Sequence, residues 1–98
     1  MIRVMIERKC QPGKEKQLRE LLRELRMAAL RQLGYITGET LRAADDPSLF
    51  LVISTWTTMD AWKLWQTARQ RLSVEEMIEP LITTERKVRV FTEDMRTD

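Results

Sequence analysis

An α+β fold, one antiparallel sheet with its main helices on a single face, is predicted by three observations. Strand-like and helix-like runs follow one another in the order β α β β α β. The two middle strands are joined by a short turn, and no repeat or low-complexity segment interrupts the order. A chain of 98 residues without a long linker makes one domain, expected to span 1–98. Its core should cover about 1–92 and leave a short tail over 93–98.

Ile2, Val4 and Ile6 alternate with Arg3, Met5 and Glu7, the period of two that gives a strand one apolar face. Pro12 and Gly13 end that strand. From Lys14 the residues Leu18, Leu21, Leu22, Leu25, Ala28, Ala29 and Leu33 recur at the spacing of an amphipathic helix. Roughly 20 residues of helix, about 30 Å, are implied, with Gly34 as the stop. Its other face carries Lys16, Arg19, Glu20, Arg23, Glu24 and Arg26. Several of these are opposite charges three or four apart and read as a solvated surface.

Tyr35 to Ala43 reads as the second strand and Leu49 to Trp56 as the third, joined through the turn residues Asp45, Asp46 and Pro47 into a hairpin. Thr57 or Thr58 caps the next helix, and Asp60 favours the positive end of its dipole. That helix is expected to reach about Leu72. Ser73 and Glu76 have capping-box spacing for a short extra helix, Val74 to Glu79, stopped by Pro80. Thr83 to Thr92 reads as the last strand.

Two absences exclude more chemistry than the counts do: the sequence has no histidine and no asparagine. Without histidine there is no imidazole metal ligand, no side chain titrating near neutrality when unperturbed, and no Ser/His or Cys/His pair. Charge is nearly balanced, 17 basic against 15 acidic residues for a net +2, and interleaved. That speaks against nucleic acid as a partner. The element order is also that of an RNA recognition motif, yet the third strand, LFLVISTW, lacks the glycine and spaced aromatics of an RNP1 segment. Cys10 is alone and fits a reducing compartment. With no signal-like segment at the N-terminus and no apolar run of membrane length, a soluble cytoplasmic protein without a membrane partner is expected.

The third strand also bears on assembly. Phe50, Val52, Ser54 and Trp56 alternate with Leu49, Leu51, Ile53 and Thr55, and both sets are mainly apolar. Helices on one side of the sheet cover only one set, so a sheet-to-sheet homodimer is expected. The strand runs into a helix bearing Trp62 and Trp65, three apart and on one face. This juncture, Phe50 to Trp65, is where a pocket is expected.

The segments PGKEKQLRELL, LGY, DDPSLFLVISTW and TTMDAWKLW, in that order, resemble the antibiotic biosynthesis monooxygenase family of dimeric α/β barrels, over Met1 to Phe91. The resemblance implies a ferredoxin-like protomer whose sheet meets that of a second copy. It places Trp65 at the family's tryptophan beside the pocket. The haem-degrading branch uses a histidine where this chain reads Ser73-Val74-Glu75-Glu76 and an asparagine near Glu7 or Arg8, and has neither residue here. Cys10, Met5 and Tyr35 are the groups left that could ligate iron.

The oxygenase branch implies a reaction in which a flat phenolic, anthrone or quinol-like substrate supplies its own electrons to oxygen, with no cofactor and no metal. Trp62 and Trp65 would wall the slot, with Arg8 as a further binding residue. Arg69, four residues after Trp65, would hold the substrate anion or a dioxygen adduct. Glu7, Glu75 or Glu76 would need burial to act as a base. Cys10 reads as an inert strand-end thiol. The alternative of a different class is a non-catalytic dimeric module that binds or senses an apolar ligand.

Overall fold

The computed structural model describes residues 1–95, and of the expected tail residues 96–98 lie outside the described residues. Its elements are β1 (Ile2–Lys9), α1 (Glu15–Ala29), β2 (Tyr35–Arg42), β3 (Leu49–Trp56), α2 (Met59–Gln66), α3 (Arg69–Ile78), a single 3-10 turn at Glu79–Leu81, and β4 (Lys87–Thr92). The strands form one antiparallel sheet in the order β2-β3-β1-β4. This is a ferredoxin-like α+β fold.

Register sorts the side chains. Ile2 lies opposite Trp56, Val4 opposite Ser54, Ile6 opposite Val52 and Arg8 opposite Phe50. Because alternate residues point to opposite faces, these positions share the side covered by the helices, where Ile2, Val4, Ile6, Phe50 and Trp56 are buried. Arg8 stands in this row where the pattern of β1 would place an apolar residue, and it is as buried as its neighbours. Leu18, Leu22 and Ala29 of α1 close over the sheet. Ile78 of α3 and Leu81 join Leu18, Leu22, Cys10 and Phe50 in one part of the core, and the tryptophans form the other.

Three boundaries depart from the sequence expectations. Helix α1 ends at Ala29, because the amides of Leu30, Arg31 and Gln32 bond back to the carbonyls of Arg26, Ala28 and Ala29 in a tightening turn. Leu33, expected on the core face, is 90% exposed. Gly34 does mark the reversal, with φ +90°. A Cβ there would stand 2.5 Å from Ala61 Cβ and 2.8 Å from Thr57 Oγ1, so the residue also lets the chain pass close to α2.

The tryptophan helix is likewise shorter than expected. It starts at Thr58, whose Oγ1 accepts from the Ala61 amide at 3.1 Å. It stops at Gln66, and the extended backbone of Ala68 redirects the chain into α3. Ser73 falls inside α3 on its exposed side, so Ser73 and Glu76 form no capping box. Pro80 sits in the 3-10 turn that follows α3, as its missing amide requires. Strand β4 begins at Lys87, although Thr83 already donates its amide to the Lys9 carbonyl at 2.8 Å.

Among the described residues no helix lies on the opposite side of the sheet. Met5, Leu51 and Ile53 there are half-buried, and Leu41 and Phe91 are exposed. Among the described residues no helix is long and apolar enough to cross a membrane.

Candidate functional site

Trp56, at the end of β3, is completely buried and organises the aromatic side chains around it. Trp65 stacks on it with ring centroids 6.2 Å apart and planes 28° from parallel, Trp62 is tilted at 5.9 Å, and Tyr35 meets it edge-on at 5.3 Å. The Trp56 indole N–H donates to Ser54 Oγ at 3.0 Å, so its polar atom is satisfied inside the core. Trp62 and Trp65 share a helix face by their spacing, and that face is docked on Trp56.

A cleft with an open mouth runs between α1 and the β2 side of the sheet, with a cavity volume of about 50 Å³. Its inner wall is Trp56, Trp62 and Trp65 with Ile6 and Val52, Leu22, Leu25 and Ala29 of α1 line one side, and Tyr35, Gly38 and Thr40 line the other. Arg26 stands at the exposed mouth. Such a mainly apolar lining suits a flat hydrophobic ligand.

Two guanidiniums also line this cleft. Arg8 and Arg71 are 2% and 3% exposed, and both meet the buried carboxylate of Glu75. Arg8 Nη2 donates to Glu75 Oε2 at 2.8 Å, and Arg71 Nη2 lies 2.9 Å from the same oxygen without hydrogen-bond alignment. Arg86 Nε approaches that oxygen at 3.9 Å from a more exposed position. Arg71 Nη1 donates to the Gln66 carbonyl at 3.1 Å, and its Cζ lies 5.6 Å from the Trp62 ring centroid. Burial lowers the pKa of Arg8 and of Arg71, with Glu75 pulling each back up. Guanidinium is so weak an acid that both remain charged. Arg8 Nε and Arg71 Nη2 are buried and have no hydrogen-bond partner among the described residues.

The residues singled out in the sequence are placed as follows. Trp62, Trp65 and Arg8 line the cleft together. Arg69 does not: the break at Thr67 and Ala68 takes it off the helix that carries Trp65, and it is exposed at the start of α3. Glu7 is exposed on the helix-free side of the sheet, next to Lys87 in register. Glu76 is exposed, whereas Glu75 is buried in contact with arginines. Cys10 is buried against Leu18 and Phe50, Met5 faces the other side of the sheet, and Tyr35 borders the cleft, so these three are not brought together.

Arg71 and Trp56 complete the site and were not singled out. Arg71 had a signal, because it and Glu75 are an oppositely charged pair four residues apart on a helix. Trp56 had one too, since it alternates with Phe50 onto the same side of β3.

A sequence-family model described as antibiotic biosynthesis monooxygenase matches residues 1–77. No curated protein matches the chain in sequence. Among solved structures, a conserved protein from Methanosarcina mazei Go1 is 14% identical with a TM-score of 0.90, over 95% of this chain and 92% of that one. The protein Rv0793 from Mycobacterium tuberculosis is 15% identical with a TM-score of 0.88, over 99% and 98%. SnoaB, a cofactor-independent oxygenase from Streptomyces nogalater, is 19% identical with a TM-score of 0.84, over 97% and 95%. At these identities the likeness is one of fold.

Proposed function

Because the chain belongs to the antibiotic biosynthesis monooxygenase family, we propose that its cleft binds a small phenolic, anthrone or quinol-like aromatic and oxygenates it without metal or flavin. The observation that carries this reading is the meeting of an aromatic wall, Trp56, Trp62 and Trp65, with two buried guanidiniums in one cleft. The tryptophans hold the substrate plane. Arg71 and Arg8 take the role that spacing had suggested for Arg69.

The chemistry then resides in the substrate. Loss of a proton from the central CH₂ of an anthrone gives an electron-rich enolate. Its carbon bonds to dioxygen, and the peroxide O–O bond breaks with loss of water to leave a carbonyl. In sum, CH₂ and O₂ become C=O and H₂O, with no outside reductant. The guanidiniums stabilise the enolate oxyanion, an interaction strengthened by exclusion of water. Glu75 is held by arginines, so the proton leaves through the open mouth to solvent.

Among the described residues the buried carboxylate is Glu75, which is held by arginines, and the lack of a free base there favours the second reading, a module that binds an aromatic ligand without turning it over. Oxygen consumption by metal-stripped protein with a panel of anthrones and quinols separates the two. Uptake above the spontaneous rate, reduced in Trp65→Phe and in Arg71→Gln, is expected; no enhancement with any member, despite binding, would establish the module instead. The reading includes a single-domain protomer that pairs through the helix-free sheet face, and a cytoplasmic location in keeping with the lone cysteine.

A further inference from the structure

We infer that the cleft selects aromatic ligands that are already monoanions, seating the ionised oxygen against Arg71 and Arg8 and the ring on Trp62 and Trp65. This rests on reading the cleft as the substrate site. Arg8 and Arg71 contribute two positive charges behind the tryptophans and Glu75 one negative charge, so the buried cluster is one positive charge in surplus. Arg86 is about a third exposed, yet its Nε is buried 3.9 Å from Glu75 Oε2 without a hydrogen-bond partner among the described residues, so it adds to the surplus and does not offset it. A buried charge without a partner is strongly disfavoured, so a retained surplus calls for a counter-charge.

Hydrogen bonding points the same way. All three arginines converge on the single oxygen Glu75 Oε2, and this leaves Arg8 Nε and Arg71 Nη2 unpartnered among the described residues. Both residues line the cleft and both are more than nine-tenths buried. A carboxylate or phenolate oxygen supplies the missing acceptor and the missing charge together. Arg71 also lies against the Trp62 ring, so the anion and the aromatic plane of one ligand are addressed from adjoining side chains. A neutral ligand of the same shape fills the apolar part and leaves the surplus unmatched.

Calorimetric titration with 1-naphthoate and with 1-naphthalenemethanol, which share a ring system and differ in charge, tests this. The intact protein should prefer the carboxylate by about tenfold or more, the worth of one charge-assisted hydrogen bond. Arg71→Gln removes the surplus while leaving Arg8 paired with Glu75. It should abolish the preference yet still bind the alcohol, and Arg71→Lys should restore part of it. Equal affinities in the intact protein, or no binding of either probe, would overturn the inference, as would a preference untouched in a folded Arg71→Gln. Oxygen uptake is scored separately: uptake without charge preference would sink this inference and keep the oxygenase, and preference without uptake would do the reverse.

Discussion

Arg8 Nη2 donates to Glu75 Oε2 at 2.8 Å, joining the end of β1 to α3 across 67 positions of sequence. The pair sits behind the tryptophan wall, so it ties the sheet to the helix that supplies Arg71. Removing either member is not equivalent. Glu75→Gln leaves Arg8, Arg71 and Arg86 facing one another with no carboxylate, and should cost about 3–5 kcal/mol, the penalty of a broken buried pair. Arg8→Met leaves Glu75 with Arg71 and should cost less. Urea denaturation of both variants checks the order: a reversed order would show that Arg8, not Glu75, is the keystone of the cluster, and an equal loss that neither is.

Trp65 is both core and cleft. It is 5% exposed, stacks on Trp56 and borders the open volume. The slot wall expected of this residue and a place in the core are therefore joined in one side chain. Trp65→Ala should lose about 3–5 kcal/mol through cavity formation, which would mask any effect on ligand. Trp65→Phe keeps an aromatic face with a smaller loss of volume, and should weaken binding of naphthalene probes several-fold while the protein stays folded. Thermal melts run beside the titrations separate the two effects.

How far the site could be read from the sequence depends on the residue. The alternation of Ile2, Val4 and Ile6 extends by one step to Arg8, so the burial of Arg8 was implicit in the period of β1. Trp62 and Trp65 announce their shared face by spacing alone. Arg71 was hidden by the break at Thr67 and Ala68, which carries neither Pro nor Gly. That break follows from tertiary packing: the α2 tryptophans are docked on Trp56, and α3 must turn to lie along α1 and bring Glu75 to Arg8. A continuous helical reading puts Arg69 beside Trp65, and the real chain instead puts Arg71 against Trp62.

Cys10 offers a pH prediction. Burial, assisted by the charge of Glu15 and opposed by Arg42, pushes its thiol above the usual range. The folded state therefore holds this proton when the unfolded chain has released it. Since stability falls with pH wherever the native state binds more protons, this contribution is fully present below about 8.5, the ordinary thiol value, and should be lost above it as pH rises through the raised value of the folded thiol. Cys10→Ala should flatten that part of the stability profile. The native thiol should also react with a disulfide reagent at pH 8 far more slowly than the denatured chain; equal rates would mean that Cys10 is open to solvent.

Assembly can be tested on the face that no helix covers. Ile53 lies at its middle, opposite Met5 on β1 and Glu39 on β2, and Leu51 pairs with Leu41 one step along. Single exposed apolar residues are ordinary, but a contiguous set on the two central strands of a four-stranded sheet is an interface signal. In a two-fold dimer each copy would present Ile53 to the same patch of the other, so one substitution acts twice. Light scattering should give twice the chain mass for the parent protein and a shift toward the single-chain mass for Ile53→Lys, with the far-ultraviolet spectrum unchanged. A parent protein monomeric at micromolar concentration would remove the dimer from the proposal. The cleft would survive that result, because Trp62, Trp65, Arg8 and Arg71 all lie on the other side of the sheet and come from one chain.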